Sequence, residues 1–171
     1  MSATNETLDR SLLHMAWANA DVFTRLAGLP DASLALTAPG SEWSVAAIAH
    51  HIVTAAENYA QRLHGEPRAA KREVPTTAKG IAELGTGLAE ADARLRHASG
   101  QPGEQVLEWI SFSGEPLAVP RWTLVNQAVH HATEHRAQIA GALAAHGINA
   151  IDLDAVDVWT YQESVREANG G

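Results

Sequence analysis

The residues of this sequence best suited to chemistry are its nine histidines, because the chain contains no cysteine. Two of them, His131 and His135, are spaced i and i+4 within a segment of helical periodicity. Side chains at that spacing lie one above the other on a helix face, about 5–6 Å apart at Cβ. Two imidazoles in this arrangement can chelate one divalent cation, as they do in helical zinc-binding motifs. The pair therefore predicts a metal site, although the spacing alone also arises by chance.

His131 and His135 occupy positions where core residues are expected. The apolar stripe of their predicted helix steps by four and three through Leu124, Ala128, His131, His135, Gln138 and Ala142. The alternative to a metal site is that both rings hydrogen-bond to backbone or carboxylate groups inside the core. A buried polar ring without a partner costs about 1–3 kcal/mol, whereas one metal ion would satisfy both rings at once.

A third ligand is expected from a facing helix, and His51 is the best candidate. It borders the apolar stripe of the second predicted helix. His50 and His130 are each rotated by about 100° from the histidine that follows them, so we expect both to face outward. His14, on the flank of the first helix's stripe, is the reserve fourth ligand.

The remaining histidines lie near predicted helix C-termini, where cationic or hydrogen-bonding side chains are favoured. We interpret these three as structural: His64, His97 and His146. Each metal-binding ring also needs an acceptor for its other nitrogen, and Gln138 and Glu57 are the candidates. Arg136 lies off the ligand face, where it is either a solvated or inter-helix ion-paired arginine or a substrate-binding one.

Helical periodicity dominates the chain and predicts the elements that position these residues. The expected helices span about residues 5–29, 43–64, 77–98, 121–146 and 153–168. Residues 104–120 instead carry β-forming residues on both sides of Ser113-Gly114-Glu115, which predicts a hairpin. The sequence thus predicts an all-α protein of one domain, residues 1–171. We expect an antiparallel, up-down four-helix bundle with the short β-hairpin between helices 3 and 4 and an extra C-terminal helix. Leu88 and Leu95 should be buried.

The composition excludes several classes of function. With a formal net charge of −8, a phosphate-binding surface is not expected, so the partners should include no nucleic acid. No run of about 18 apolar residues indicates a membrane-spanning helix. The acidic, polar N-terminal segment lacks the pattern of a signal peptide, so a cytoplasmic location is expected. The absence of cysteine excludes disulfides, zinc ribbons and a catalytic cysteine.

Four segments, in order, resemble the DinB-like (DinB/YfiT-like) superfamily of metalloenzymes. MAWANADVFTRLAGLP resembles the first helix of that superfamily with its Trp-x-Asn, and Trp43 followed by His51 resembles its Trp and His eight residues apart. HHATEHRAQI, residues 130–139, resembles its motif His-x-x-x-His-Arg-Gly-Gln, with Ala137 in place of the usual Gly. LDAVDVWTY resembles its C-terminal Asp-x-x-x-Trp-x-Tyr. Together the four segments extend over nearly the whole chain.

The resemblance implies a four-helix bundle that holds a divalent metal with three histidines, which correspond to His51, His131 and His135. Imidazole ligands suit several metals, and zinc or nickel is expected. Three protein ligands leave an open coordination position, which is typical of catalytic sites and not of structural ones. The resemblance also suggests a homodimer, as does the Ala-rich apolar surplus of the sequence.

Characterised members of the superfamily include transferases and isomerases that use a low-molecular-weight thiol such as bacillithiol or mycothiol. The expected function is therefore thiol-dependent S-transfer to a small-molecule electrophile, with the thiol as cosubstrate. The alternative is a non-catalytic, metal-binding, stress-associated bundle protein. A plain helical bundle with polar histidines in its core is the third hypothesis.

Overall fold

A computed structural model describes residues 3–67, 71–111 and 113–170 of the chain, and it is mostly helical. Its elements, in chain order, are α1 (Ala3–Ala27), α2 (Val45–His64), α3 (Ala78–Ser99), β1 (Val106–Ile110), β2 (Pro116–Pro120), α4 (Arg121–Ala144) and α5 (Val158–Ala168). Two short 3₁₀ helices, Asp31–Ala35 and Asp154–Val156, precede α2 and α5. The predicted helical class is thus confirmed, together with the hairpin between α3 and α4.

Side-chain caps determine where three of the helices begin. The Ser44 hydroxyl accepts a hydrogen bond from the Ala47 N–H at 3.2 Å, so α2 starts at Val45. Thr77 caps α3 in the same way. Asp157 caps α5, because its carboxylate accepts from the Thr160 N–H at 2.8 Å. Such caps satisfy amide groups that a helix start leaves unpaired. The last helix therefore begins five residues later than the predicted start at 153.

Helices that are consecutive in the chain are not always neighbours around the core. α1 packs against α3 and α4, and α2 packs against the same two helices. α1 and α2 are consecutive in the chain, yet they lie diagonally across the core. The four long helices do form one bundle, whereas its antiparallel, up-down arrangement stays a prediction.

The core lies between these four helices and is built mostly from aliphatic side chains. Leu88 and Leu95 of α3 are buried, as predicted. Three polar side chains, Asn19, Asp92 and Arg136, are buried among them. Burying polar groups is unfavourable unless they find partners, so these three side chains are expected to hydrogen-bond within the core.

The hairpin joins α3 to α4 and holds the start of α4 against the end of α2. Its strands pair antiparallel, with Trp109 opposite Leu117, and Phe112 in the predicted hairpin segment lies outside the described residues. Arg121, the first residue of α4, donates hydrogen bonds to the Leu63 carbonyl at 3.0 Å and to Gln105 Oε1 at 2.9 Å.

None of the helices in the described part of the chain combines the length and the apolar character that a membrane-spanning helix requires.

Candidate metal centre

Helices α2 and α4 bring three histidine rings to one point. His131 Nε2 lies 3.0 Å from His51 Nε2 and 3.1 Å from His135 Nε2. The three ligand atoms all lie within 4.8 Å of one another, and all three side chains are partly buried. The structure therefore brings together the three predicted ligands, although His51 of α2 lies 80 residues before His131 of α4.

The distances and the donor atoms of this cluster fit a metal ion. Ligands at about 2.0–2.1 Å from a tetrahedral zinc are roughly 3.3 Å apart, close to the observed spacing of the Nε2 atoms. His135 Nδ1 donates its proton to Gln138 Oε1 at 2.7 Å, which leaves a lone pair on His135 Nε2. That lone pair points at the neighbouring rings, so a cation placed between them would be stabilised.

Burial favours the neutral, metal-binding form of two of the rings. Desolvation, aided by the nearby His135 and His51, lowers the pKa of His131 to about 4. The pKa of His51 is lowered as well, mainly by burial and then by His135. Both imidazoles are therefore neutral at pH 7, and their lone pairs are available to a metal.

Two aromatic side chains of the α2 region border the histidine cluster. Trp43, which is 45% exposed, meets the His51 ring edge-on at 4.8 Å and stacks on His135 at 6.2 Å. Tyr59 meets the His131 ring edge-on at 5.8 Å, and burial raises its pKa. Trp43 thus borders the site on its solvent-facing side, and Tyr59 borders it on the side that faces the core.

The neighbouring histidines stay out of the cluster, as the helical rotation predicts. His50 Nε2 donates to the Arg72 carbonyl at 3.0 Å, and His130 is exposed. His14 does not serve as the reserve fourth ligand, because its Nε2 donates to the Val156 carbonyl at 2.9 Å. Its ring lies 5.7 Å from that of Tyr161, so His14 instead anchors the C-terminal segment on α1.

The histidines interpreted as structural contact carbonyls or rings of other segments. His64 Nε2 donates to the Arg94 carbonyl at 3.2 Å, and its ring stacks on His97 at 5.9 Å. His146 Nε2 donates to the Thr37 carbonyl at 2.9 Å. These contacts link helix ends to neighbouring segments, which agrees with a structural interpretation.

The expected outer partners of the ligands are only partly observed. Gln138 does accept a hydrogen bond from His135. Glu57, the other candidate, forms an ion pair with Arg72 at 2.6 Å. The prediction that Glu57 accepts a hydrogen bond from a ligand histidine is therefore wrong, because its carboxylate pairs with the guanidinium of Arg72 in the segment before α3.

Arg136 is neither solvated nor placed at the ligand face, since it is 3% exposed and belongs to a buried inter-helix network. Its Nη1 donates to Asn19 Oδ1 at 2.7 Å, and Asn19 Nδ2 donates to Asp92 Oδ2 at 2.9 Å. Burial lowers the pKa of Arg136 to about 10, and the charge of Asp92 opposes that shift. The network joins α1, α3 and α4 across the core.

Asp92 is the member of this network that sequence reasoning missed. Burial raises its pKa to about 6, while the hydrogen bond from Asn19 and the charge of Arg136 act in the opposite direction. A signal for it existed, because Asp92 lies four residues after Leu88 and three before Leu95. Those spacings place a carboxylate on the buried face of a helix.

Comparisons with known proteins agree with this fold. The model of the DinB family matches residues 1–165. The chain is similar to the solved structure of a DinB-like protein from Bacillus cereus ATCC 10987, with a TM-score of 0.59 and 23% sequence identity. That similarity covers 83% of this chain and 94% of the other. No curated protein matches the sequence.

Proposed function

This chain belongs to the DinB family, and from that premise we propose that it is a metal-dependent enzyme. His51, His131 and His135 bind one divalent ion, zinc or nickel, and the protein transfers a low-molecular-weight thiol to a small electrophile. The observation that carries the proposal is the convergence of three imidazole Nε2 atoms at spacings of 3.0 and 3.1 Å.

The number of ligands favours catalysis over a structural role for the ion. Among the described residues, the group of acidic, histidine and cysteine side chains at this point has three members and no fourth. Structural zinc sites are usually closed by four protein ligands, whereas catalytic sites keep one position for water or substrate. Three neutral imidazoles also leave the charge of a divalent ion uncompensated.

The side chains around the site prepare it for such chemistry. A divalent ion bound there supplies a Lewis acid, which favours the thiolate form of a thiol or lowers the pKa of water. Gln138 holds the His135 ring by its Nδ1–H, and burial keeps His51 and His131 neutral. The exposed Trp43 offers an apolar surface for the electrophile beside the rings.

The nucleophilic sulfur must arrive with a cosubstrate, because the chain has no cysteine. In the proposed reaction the thiol loses its proton and its sulfur forms a bond to the electrophilic carbon. The leaving group departs with the electron pair of the bond that breaks. The products are a thioether, the released leaving group and one proton.

Metal content tests the first half of the proposal. Elemental analysis of the purified protein should find about one divalent ion per chain, and His51→Ala, His131→Ala or His135→Ala should remove most of it. His50→Ala and His130→Ala are matched controls on the same helices and should retain the ion. A metal-free wild type reloaded with zinc and nickel that still binds neither would overturn the proposal.

Turnover tests the second half. Metal-loaded protein should conjugate a chromogenic aryl halide with a bacterial low-molecular-weight thiol, and chelation or His131→Ala should abolish the reaction. The His130→Ala variant should remain active. If a loaded protein binds its ion but conjugates no electrophile with bacillithiol, mycothiol or glutathione, the non-catalytic, metal-binding function becomes the better explanation.

A further inference from the structure

A small cavity lies in the core beside the histidine cluster, between α1, α2, α3 and α4. Its volume is about 10 Å³, roughly the space that one water molecule needs. Four polar side chains line it together with apolar ones, and these four are Asn19, Tyr59, Asp92 and His131. A cavity of this size holds water only when polar partners surround it, and this one has them.

One of the lining side chains has a buried polar atom without a protein partner among the residues that the structure describes. Asp92 is 3% exposed, and its Oδ1 is buried and accepts no hydrogen bond within the described part of the chain. His131 directs Nε2 at the other two histidine rings, so Nδ1 is the ring nitrogen left to bond elsewhere. An unsatisfied buried polar atom costs about 1–3 kcal/mol, so a water molecule that donates to Asp92 Oδ1 and also contacts the His131 ring would be held firmly.

We propose that one ordered water molecule occupies this cavity and links Asp92 to His131. The His131 Nδ1–H donates to the water oxygen, and the water donates one of its protons to Asp92 Oδ1. Asp92 is thereby a positioning residue, which acts on the metal centre through the water and touches neither ion nor substrate. This inference rests on the proposed function for its effect on metal binding, but not for the hydrogen bonds themselves.

The surrounding network determines the direction of these hydrogen bonds. Arg136 donates to Asn19 Oδ1, which turns the Asn19 amide so that its NH₂ donates to Asp92 Oδ2. Asp92 Oδ1 is then left as an acceptor facing the core. A ring that uses Nε2 for a metal carries its proton on Nδ1, so donor, water and acceptor match. Ligands commonly gain orientation and basicity from such outer partners.

The tautomer of His131 in metal-free protein tests the inference without any metal. Long-range ¹⁵N NMR should find the proton of His131 on Nδ1 in the wild type. In Asp92→Asn the new amide oxygen must accept from the Asn19 NH₂, so the NH₂ group of the new amide points at the water. The water then donates to His131, and the ring should shift towards the tautomer with its proton on Nε2.

Metal affinity provides the second readout. Zinc titration should find Asp92→Asn weaker than the wild type by about tenfold, the lower end of the usual effect of outer partners. Leu84→Ala removes buried volume from the same helix away from the cavity. It serves as the control for general loss of stability and should keep the wild-type tautomer and affinity.

Three results would overturn the inference. These are a wild-type His131 protonated on Nε2 in the metal-free protein, a high-resolution crystal structure with this cavity dry, and an Asp92→Asn variant with unchanged tautomer and affinity. The first two need no variant and so remain decisive if Asp92→Asn fails to fold. A wild type that shows the Nδ1–H tautomer and the water but binds no metal would refute the proposed function and leave the link intact.

Discussion

The three clustered histidines differ from the others in where their ring nitrogens point. Four histidines elsewhere donate Nε2–H to backbone carbonyls of other segments, namely His14, His50, His64 and His146. Those contacts use the ring as a hydrogen-bond donor. The clustered rings instead direct Nε2 atoms at one another. Lone pairs on neighbouring Nε2 atoms repel each other, and a cation between them would remove that repulsion.

The hydrogen bond between His135 and Gln138 leads to a prediction about affinity. Gln138→Leu removes the acceptor that holds His135 Nδ1–H, so zinc affinity should fall by about 10-fold or more, as for other outer partners. Stability should change little, because Gln138 is exposed. Gln138→Glu keeps an acceptor and should restore binding, as titration calorimetry can measure. Equal affinities of the Leu variant and the wild type would contradict this role.

The raised pKa of Asp92 predicts a pH-dependent stability. Its pKa is about 6 in the folded protein against an ordinary value of 3.8, so the folded state binds a proton that the unfolded state has lost. The free energy of unfolding contributed by this group therefore falls as the pH rises from about 4 to 6. Asparagine does not titrate, so the Asp92→Asn variant should gain about 2 kcal/mol relative to the wild type between pH 4 and pH 7.

Urea unfolding in chelator at several pH values measures this difference. Titrating groups outside the Asp92–water–His131 link contribute equally in both proteins, so the change of the difference with pH reports Asp92 together with its effect on His131. A difference between the two proteins that stays constant from pH 4 to 7 would show that the carboxylate is not desolvated as described.

At the scale of elements, two glycines in helices lead to opposite predictions. Gly141 of α4 is exposed, and a Cβ added there meets nothing within 4 Å. Gly141→Ala should therefore stabilise the protein by about 0.5–1 kcal/mol, because alanine loses less conformational entropy. A Cβ at Gly80 of α3 would lie 2.7 Å from Pro75 Cβ, so Gly80→Ala should destabilise it by about 1 kcal/mol or more. Thermal unfolding of both variants checks the pair, and a stabilising Gly80→Ala would contradict the contact.

Sequence periodicity predicted the elements and the faces of the three clustered histidines better than it predicted their surroundings. It places His51, His131 and His135 on buried faces because each face follows from local spacing alone. It could not exclude His14, since that ring bonds to Val156 of the 3₁₀ helix before α5, and this contact depends on the tertiary structure. It also could not predict the ion pair between Arg72 and Glu57, because this contact joins residues from separate segments.

The helix order shows the same limit at a larger scale. Apolar stripes indicate which face of a helix is buried but not which neighbour covers it, so the diagonal placement of α1 and α2 was not predictable. Helix starts were closer to prediction, because caps such as Ser44 and Thr77 act within three residues of their own position. The exception, α5, begins late because Asp154–Val156 forms a 3₁₀ helix first.

For the whole molecule, a homodimer remains the prediction. Large apolar side chains stay exposed on the hairpin and on α5, among them Ile110 at 65% and Trp159 at 76%, and exposed apolar surface of this kind often marks an interface. Light scattering at micromolar concentration should give twice the 18.2 kDa of one chain. A mass near 18.2 kDa would contradict it.

The distribution of the ligands between α2 and α4 also bears on the rates of folding. His51 and His131 are separated by 80 residues, so the site exists only after the two helices have docked. Closing so long a loop is entropically costly, and we expect this contact to form after the transition state. An interaction absent from the transition state slows unfolding and leaves the folding rate unchanged. In stopped-flow experiments zinc should therefore lower the unfolding rate constant of the wild type, while the refolding rate constant stays as in chelator. If zinc instead accelerates refolding, α2 and α4 meet before the barrier, and the metal centre belongs to the folding nucleus.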